Sequence, residues 1–171
     1  IVKEGLELTR FTKSREDAIA FFKAQEATQT KLPHGGTVLI TVNNKDKEEM
    51  IEVARDLKQA GFKILATKGT QKALADAEIV SEFVYKLKKR RPNIIDFMTN
   101  GKIDLLINTP ASASEHIDDS DLRKTAIKKK VPYITTIAAA KATADGIKAM
   151  HKPGCGVVKS LQELHAEITD K

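Results

Sequence analysis

The sequence has no tryptophan, only one cysteine, 5% aromatic residues and no long apolar run. Each scarcity removes a class of protein. With Cys155 alone, an internal disulfide is impossible, which fits a reducing compartment and points to the cytoplasm. The four histidines, His34, His116, His151 and His165, lie far apart, so no close-spaced metal-ligand pair is present and no metal is expected. No stretch approaches the roughly 20 apolar residues of a membrane helix, so a soluble protein without membrane contact is expected. So few aromatics leave little stacking surface for single-stranded nucleic acid. The chain starts at Ile1 without an initiator Met or an apolar leader, the appearance of a piece cut from something longer.

What is present is a globular balance, 41% hydrophobic and 30% charged, with a net charge of +6 that calls for an anionic partner without fixing its size. The densest basic run, Lys86 to Arg91, carries no aromatic and reads as a solvated loop or a contact for one phosphate. Nucleic acid is not expected.

Along the chain, Ser14 to Asp17 opens a helical run whose Ala18, Phe21 and Phe22 share one face. Thr28 to Gly36, polar with Pro33 and a Gly pair, reads as a linker. The division expected is an N-terminal helical extension and linker over 1–35 and one domain over 36–171. From Gly36 on, strands and helices alternate, the pattern of a parallel sheet covered on both faces. The strands are read at Thr37–Val42, Phe62–Ala66, Val80–Tyr85, Ile103–Ile107 and Pro132–Thr136, the third less apolar and at an edge. Helices are expected over Asp46–Ala60, from Gln71 onward, over Ile94–Thr99, from about Asp119 to Lys129, over Ala138–Met150 and over Leu161–Ile168. The fold class is α/β, a three-layer α/β/α arrangement on a five-stranded, mainly parallel sheet.

The second strand runs directly into Thr67-Lys68-Gly69-Thr70 and then a helix. Gly69 offers backbone freedom, two hydroxyls flank it, and the first free N–H groups of the helix would meet an anion from several sides. The same four residues also serve as ordinary caps and turns. In an open parallel sheet, ligands sit outside the strand carboxyl ends. Those ends carry Asn43 to Lys47, Thr67 to Thr70, Lys86, Asn108-Thr109 and Thr135-Thr136. A mouth of hydroxyls, amides and Lys without paired carboxylates suits holding an anion better than acid and base chemistry on it.

With these residues in order, the chain resembles the C-terminal allosteric domain of the carbamoyl phosphate synthetase large subunit, of the methylglyoxal-synthase-like fold. The resemblance rests on Asp46-Lys47, Gly61-Phe62 through Ala66 to Thr70, Lys86 six residues before Pro92, Asn100-Gly101 through Ile107-Asn108-Thr109, and Tyr133 with Thr135-Thr136. Arg10 to Gln25 resembles the end of a preceding synthetase domain. The resemblance implies a non-catalytic regulatory module that binds a nucleotide monophosphate such as UMP or IMP and has no cofactor of its own. It further implies a parent ATP-dependent ligase that uses Mg or Mn and makes carbamoyl phosphate from bicarbonate, glutamine-derived ammonia and ATP. The implied partners are the rest of the large subunit and a small glutaminase subunit, with self-association left open. Carried over by position, the effector contacts fall on Lys47, Thr67, Thr70, Lys86, Asn108 and Thr109, and Gly69 of the turn completes the expected effector site.

Three positions depart from the family pattern. Pro110 stands where pyrimidine-responsive members often carry a second Thr, Ile134 where ornithine-responsive members carry an Asp, and Lys68 where a His is usual. Two rival readings are methylglyoxal synthase itself and a structural oligomerisation domain. By resemblance to the enzyme, the carboxylate base would fall near Arg91 and the first His near Asn43, neither of which can do that chemistry. His116 with Asp118 and Asp119 keeps only an echo, read as a loop with a helix cap.

Overall fold

A computed structural model describes Ala24 and residues 31–86, 90–109 and 116–151, with the side chains of 116–119 left aside. The described elements alternate as β1 (Thr37–Val42), α1 (Lys47–Gln59), β2 (Lys63–Ala66), α2 (Lys68–Asp76), β3 (Glu82–Phe83), α3 (Ile94–Thr99), β4 (Leu105–Thr109), α4 (His116–Lys129), β5 (Tyr133–Ile134) and α5 (Ile137–Met150). The expected α/β class is the one observed. The sheet order is β3-β2-β1-β4-β5 and every pairing is parallel.

The central strands are apolar because both faces are covered. Val38 and Ile40 of β1 face a core shared with Met50, Val53, Ala54 and Leu57 of α1, Leu74 of α2 and Ala140, Ala144 and Ile147 of α5. Leu39, Leu65 and Leu106 face the other side, against Ile94 and Met98 of α3 and Leu122 and Ala126 of α4. On the first of these faces, α1 and α5 are tied by two ion pairs, Lys141–Glu49 and Lys148–Asp56, both at 2.8 Å. Each partner is seven residues further along its helix in the second pair, so the two helices run parallel with their charges in step.

Several element bounds differ from the sequence reading. α2 begins at Lys68, so Thr67 is its N-cap and the Thr-Lys-Gly-Thr stretch is the first helical turn rather than a turn before it. β3 is two residues long, because beyond its pairing to Leu65 and Ala66 the chain makes only an isolated bridge from Tyr85 to Asn93. It does form an edge. β4 includes Asn108 and Thr109, since β1 still offers Thr41 and Val42 as partners, and it starts at Leu105. β5 stops at Ile134 because Thr136 caps α5, its hydroxyl accepting from the Ala139 N–H at 3.2 Å. α4 starts at His116, which places Asp118 and Asp119 inside a helix instead of a loop.

Leu32, in the segment read as a linker, is 3% exposed and packs into the first core. The His151 ring Nε2 lies 2.7 Å from the His34 carbonyl, fastening the same segment to the end of α5. Gly36 has a φ of +111, and any Cβ there would run into the Asp104 carboxylate that accepts from the Thr37 N–H at 2.7 Å. The helical run at Ser14 to Phe22, the helix at Leu161–Ile168, Pro110 and Cys155 lie outside the described residues. Among the described residues no helix is long and apolar enough to cross a membrane.

Candidate functional site

The order β3-β2-β1-β4-β5 reverses direction between β1 and β4, and an open sheet gapes at that point beyond its carboxyl ends. The register supplies the floor. Thr41 of β1 pairs with Asn108 of β4, and Val42 with Thr109. Ile40 pairs with Ala66, so Thr67, one residue further, lies beside Thr41. The Thr67 hydroxyl donates to Thr41 Oγ1 at 3.1 Å, and both residues are buried.

Thr67, although the N-cap residue, therefore spends its hydroxyl across the sheet and makes no side-chain capping bond to α2. The first N–H groups of that helix are left for solvent or a ligand. Two further hydroxyls are turned inward as acceptors: Thr70 Oγ1 from the Val42 N–H at 3.2 Å, and Thr109 Oγ1 from the Asn43 N–H at 3.2 Å. A hydroxyl that accepts from an amide keeps its own O–H to donate, which is what a phosphate oxygen requires.

A second helix start meets the same space. The Asn43 side chain organises it: Oδ1 accepts from the Lys45 and Asp46 N–H groups, while Nδ2 donates to Asp46 at 2.6 Å and to Thr109. This tight loop delivers Lys47, the first residue of α1. Its ammonium lies over α2, such that a Cβ on Gly69 would stand 3.3 Å from Lys47 Nζ. Gly69 is helical and has no positive φ. Its contribution is room for the lysine rather than the backbone freedom expected of it.

All seven residues singled out in the sequence, Lys47, Thr67, Gly69, Thr70, Lys86, Asn108 and Thr109, line one cavity of about 810 Å³. Thr135 and Thr136 are not among its described lining. Sequence reasoning missed Thr41, Phe83 and Tyr85, which do line it. It also gave Tyr133 no part in the site, although its hydroxyl accepts from Asn108 Nδ2 at 2.8 Å, with the Arg123 guanidinium 5.7 Å above its ring. Lys45 and Lys68 add cations beside Lys47 and Lys86, and none of the described lining residues is Asp, Glu or His. Among the described residues, no carboxylate pairs with Lys45, Lys47 or Lys68. Two helix N-termini and four lysines thus face a polar hollow, which attracts an anion and offers no described carboxylate or imidazole to move its protons. Arg91 stays outside, with an 85% exposed side chain near Asp96.

Fold and hollow together define a class: an open parallel α/β domain with a lysine-lined crevice at its switch point. The MGS-like domain profile matches residues 49–135, about half of the chain, and the chain belongs to that family. It is similar to proteins named "Carbamoyl phosphate synthase large chain" from Methanosarcina acetivorans, 42% identical over 87% of this chain, and from Acidobacterium capsulatum, 44% identical over 86%. It is likewise 42% identical, over 85% of its length, to the "Carbamoyl phosphate synthase large chain, C-terminal section" of Methanopyrus kandleri. The chain spans only 14%, 13% and 27% of those three relatives.

Proposed function

We propose that this chain is the regulatory effector-binding domain of a carbamoyl phosphate synthase large chain, and that its cavity holds a nucleoside monophosphate by the phosphate. The parent protein would be an ATP-dependent ligase acting with a glutaminase subunit in the cytoplasm, and the catalysis would lie outside this chain. One observation carries the reading: seven residues from four separate strand ends meet around a single cationic hollow whose described lining has no carboxylate or imidazole.

In this reading the phosphate sits on the first turn of α2. The α2 N–H groups and the Thr70 hydroxyl surround it, the Thr67 hydroxyl would join them only by giving up its bond to Thr41, and Lys47 and Lys86 neutralise it. Asn108, held by Tyr133, and Thr109 approach from β4. Binding would bias a two-state equilibrium of the large chain, with the coupling of about 1 to 3 kcal/mol that is usual for allosteric linkage.

Titration calorimetry with uridine and inosine monophosphates tests the binding step. Saturable binding of at least one is expected, and heat from neither overturns the reading. In the intact synthase, a nucleotide that binds this domain is expected to change the rate. Formation of methylglyoxal from dihydroxyacetone phosphate would instead make the domain an enzyme.

A further inference from the structure

The edge of the sheet puts two aromatic rings on the wall of the cavity. Phe83 ends β3 and Tyr85 follows two residues later in extended chain, so both side chains leave on the same side while Val84 between them is buried in the second core. Their rings meet edge to face, 4.7 Å between centroids at 80°. Both line the hollow together with the Thr67 to Thr70 turn and Lys86.

The backbone beneath them is fixed. Phe83 pairs with Ala66, the Val84 N–H donates to the Ala66 carbonyl at 3.0 Å, and the Tyr85 carbonyl accepts from the Ile94 N–H at 3.1 Å. Phe83 is nevertheless 39% exposed, one of three large hydrophobic residues so exposed among those described. The other two, Val80 and Ile127, do not line this cavity. An apolar ring held in place beside a cationic, phosphate-sized cradle is poor use of water-facing surface unless something flat covers it.

We propose that Phe83, braced by Tyr85, is the specificity-determining residue of this site, stacking the base of the bound nucleotide and favouring a bicyclic purine over a pyrimidine. The proposal rests on the reading that the cavity holds a phosphoester, and adds which ring that ester carries. Stacking accepts any π-face but grows with overlap, so the expected order of affinity is purine nucleotide, then pyrimidine nucleotide, then ring-free sugar phosphate.

The test measures binding of inosine monophosphate, uridine monophosphate and ribose 5-phosphate to the 171-residue chain and to two variants. Phe83→Ala is expected to weaken inosine monophosphate by roughly tenfold, within the range seen when a stacking aromatic is truncated, to weaken uridine monophosphate by less, and to leave ribose 5-phosphate unchanged. Phe83→Trp supplies the only tryptophan in the chain, whose fluorescence the nucleotides should quench and ribose 5-phosphate should not. This second variant decides the matter by itself if Phe83→Ala does not fold. A wild-type affinity for inosine monophosphate no higher than for uridine monophosphate, an equal loss for the two nucleotides in Phe83→Ala, or nucleotide binding without quenching in Phe83→Trp overturns the proposal and leaves the phosphate reading standing. No wild-type binding of any of the three removes both.

Discussion

Two groups of lysines contrast in this fold. Across the outer layer, Lys141 and Lys148 of α5 each sit 2.8 Å from a carboxylate of α1. At the strand carboxyl ends, Lys45, Lys47 and Lys68 gather around a hollow with no described carboxylate beside them. The first set is satisfied within the domain and fastens two helices. The second brings like charges together at the starts of two helices, where the backbone also presents positive ends, an arrangement that a bound anion relieves. The lesson is that paired cations describe how the domain is held, whereas gathered ones supply the observation on which the proposed anion site rests.

The sharpest way to break this comparison is Lys47→Ala. Removing one charge-assisted contact should cost a bound nucleotide about 1.5 to 3 kcal/mol by calorimetry while thermal stability stays nearly constant. An unchanged affinity would take Lys47 out of the site.

Gly69→Ala sharpens it further by separating the two properties. A helical Ala should stabilise the domain by up to about 1 kcal/mol in denaturant unfolding. The same Cβ crowds Lys47 Nζ, whose end can swing away, so nucleotide affinity should fall as stability rises.

In the outer layer the effects reverse. Lys148→Ala should lower stability by only about 0.2 to 1 kcal/mol, as for other solvent-screened pairs, and leave nucleotide affinity alone. The smallest effect belongs to Asp145. Burial, and then the nearby Asp56 carboxylate, raise its pKa above the ordinary 3.8, with Lys148 and Lys141 opposing. A carboxyl with a raised folded pKa takes up protons more readily in the folded chain. Its cost to stability is therefore absent below the ordinary value and appears as pH rises through the raised one. Asp145→Asn should give a slightly higher melting temperature at neutral pH and no difference at pH values below 3.8.

Much of this was legible in the sequence for identifiable reasons. β1 reads directly from Thr37–Val42 because a strand buried on both faces is a continuous apolar run. The buried face of α1 follows from the helical spacing of Met50, Val53, Ala54 and Leu57. Parallel connectivity brings the strand ends to one rim, which marked out the stretches that hold the seven cavity residues, and the family resemblance narrowed those stretches to particular positions.

What escaped was set by pairing between distant segments. Thr41 reads as an ordinary β-branched strand residue, and only the register with Ala66 and Asn108 sets it beside Thr67. The reach of Tyr133 to Asn108 depends likewise on how β5 docks on β4. The length of β3 was overestimated because Val80 to Tyr85 has strand-like composition while β2 offers it few partners. At Gly69 the residue was noticed and the reason was not, because the lysine that needs its missing side chain lies 22 residues earlier, at the start of another helix.

The central claim, that the gathered lysines mark the binding face, is tested most directly by amide chemical-shift mapping during titration with a nucleoside monophosphate. Saturable shifts should concentrate at Asn43 to Lys47, Thr67 to Thr70, Phe83 to Lys86 and Asn108-Thr109, with little change around Lys141 and Lys148. Shifts centred on the paired helices, or none that saturate, would contradict it.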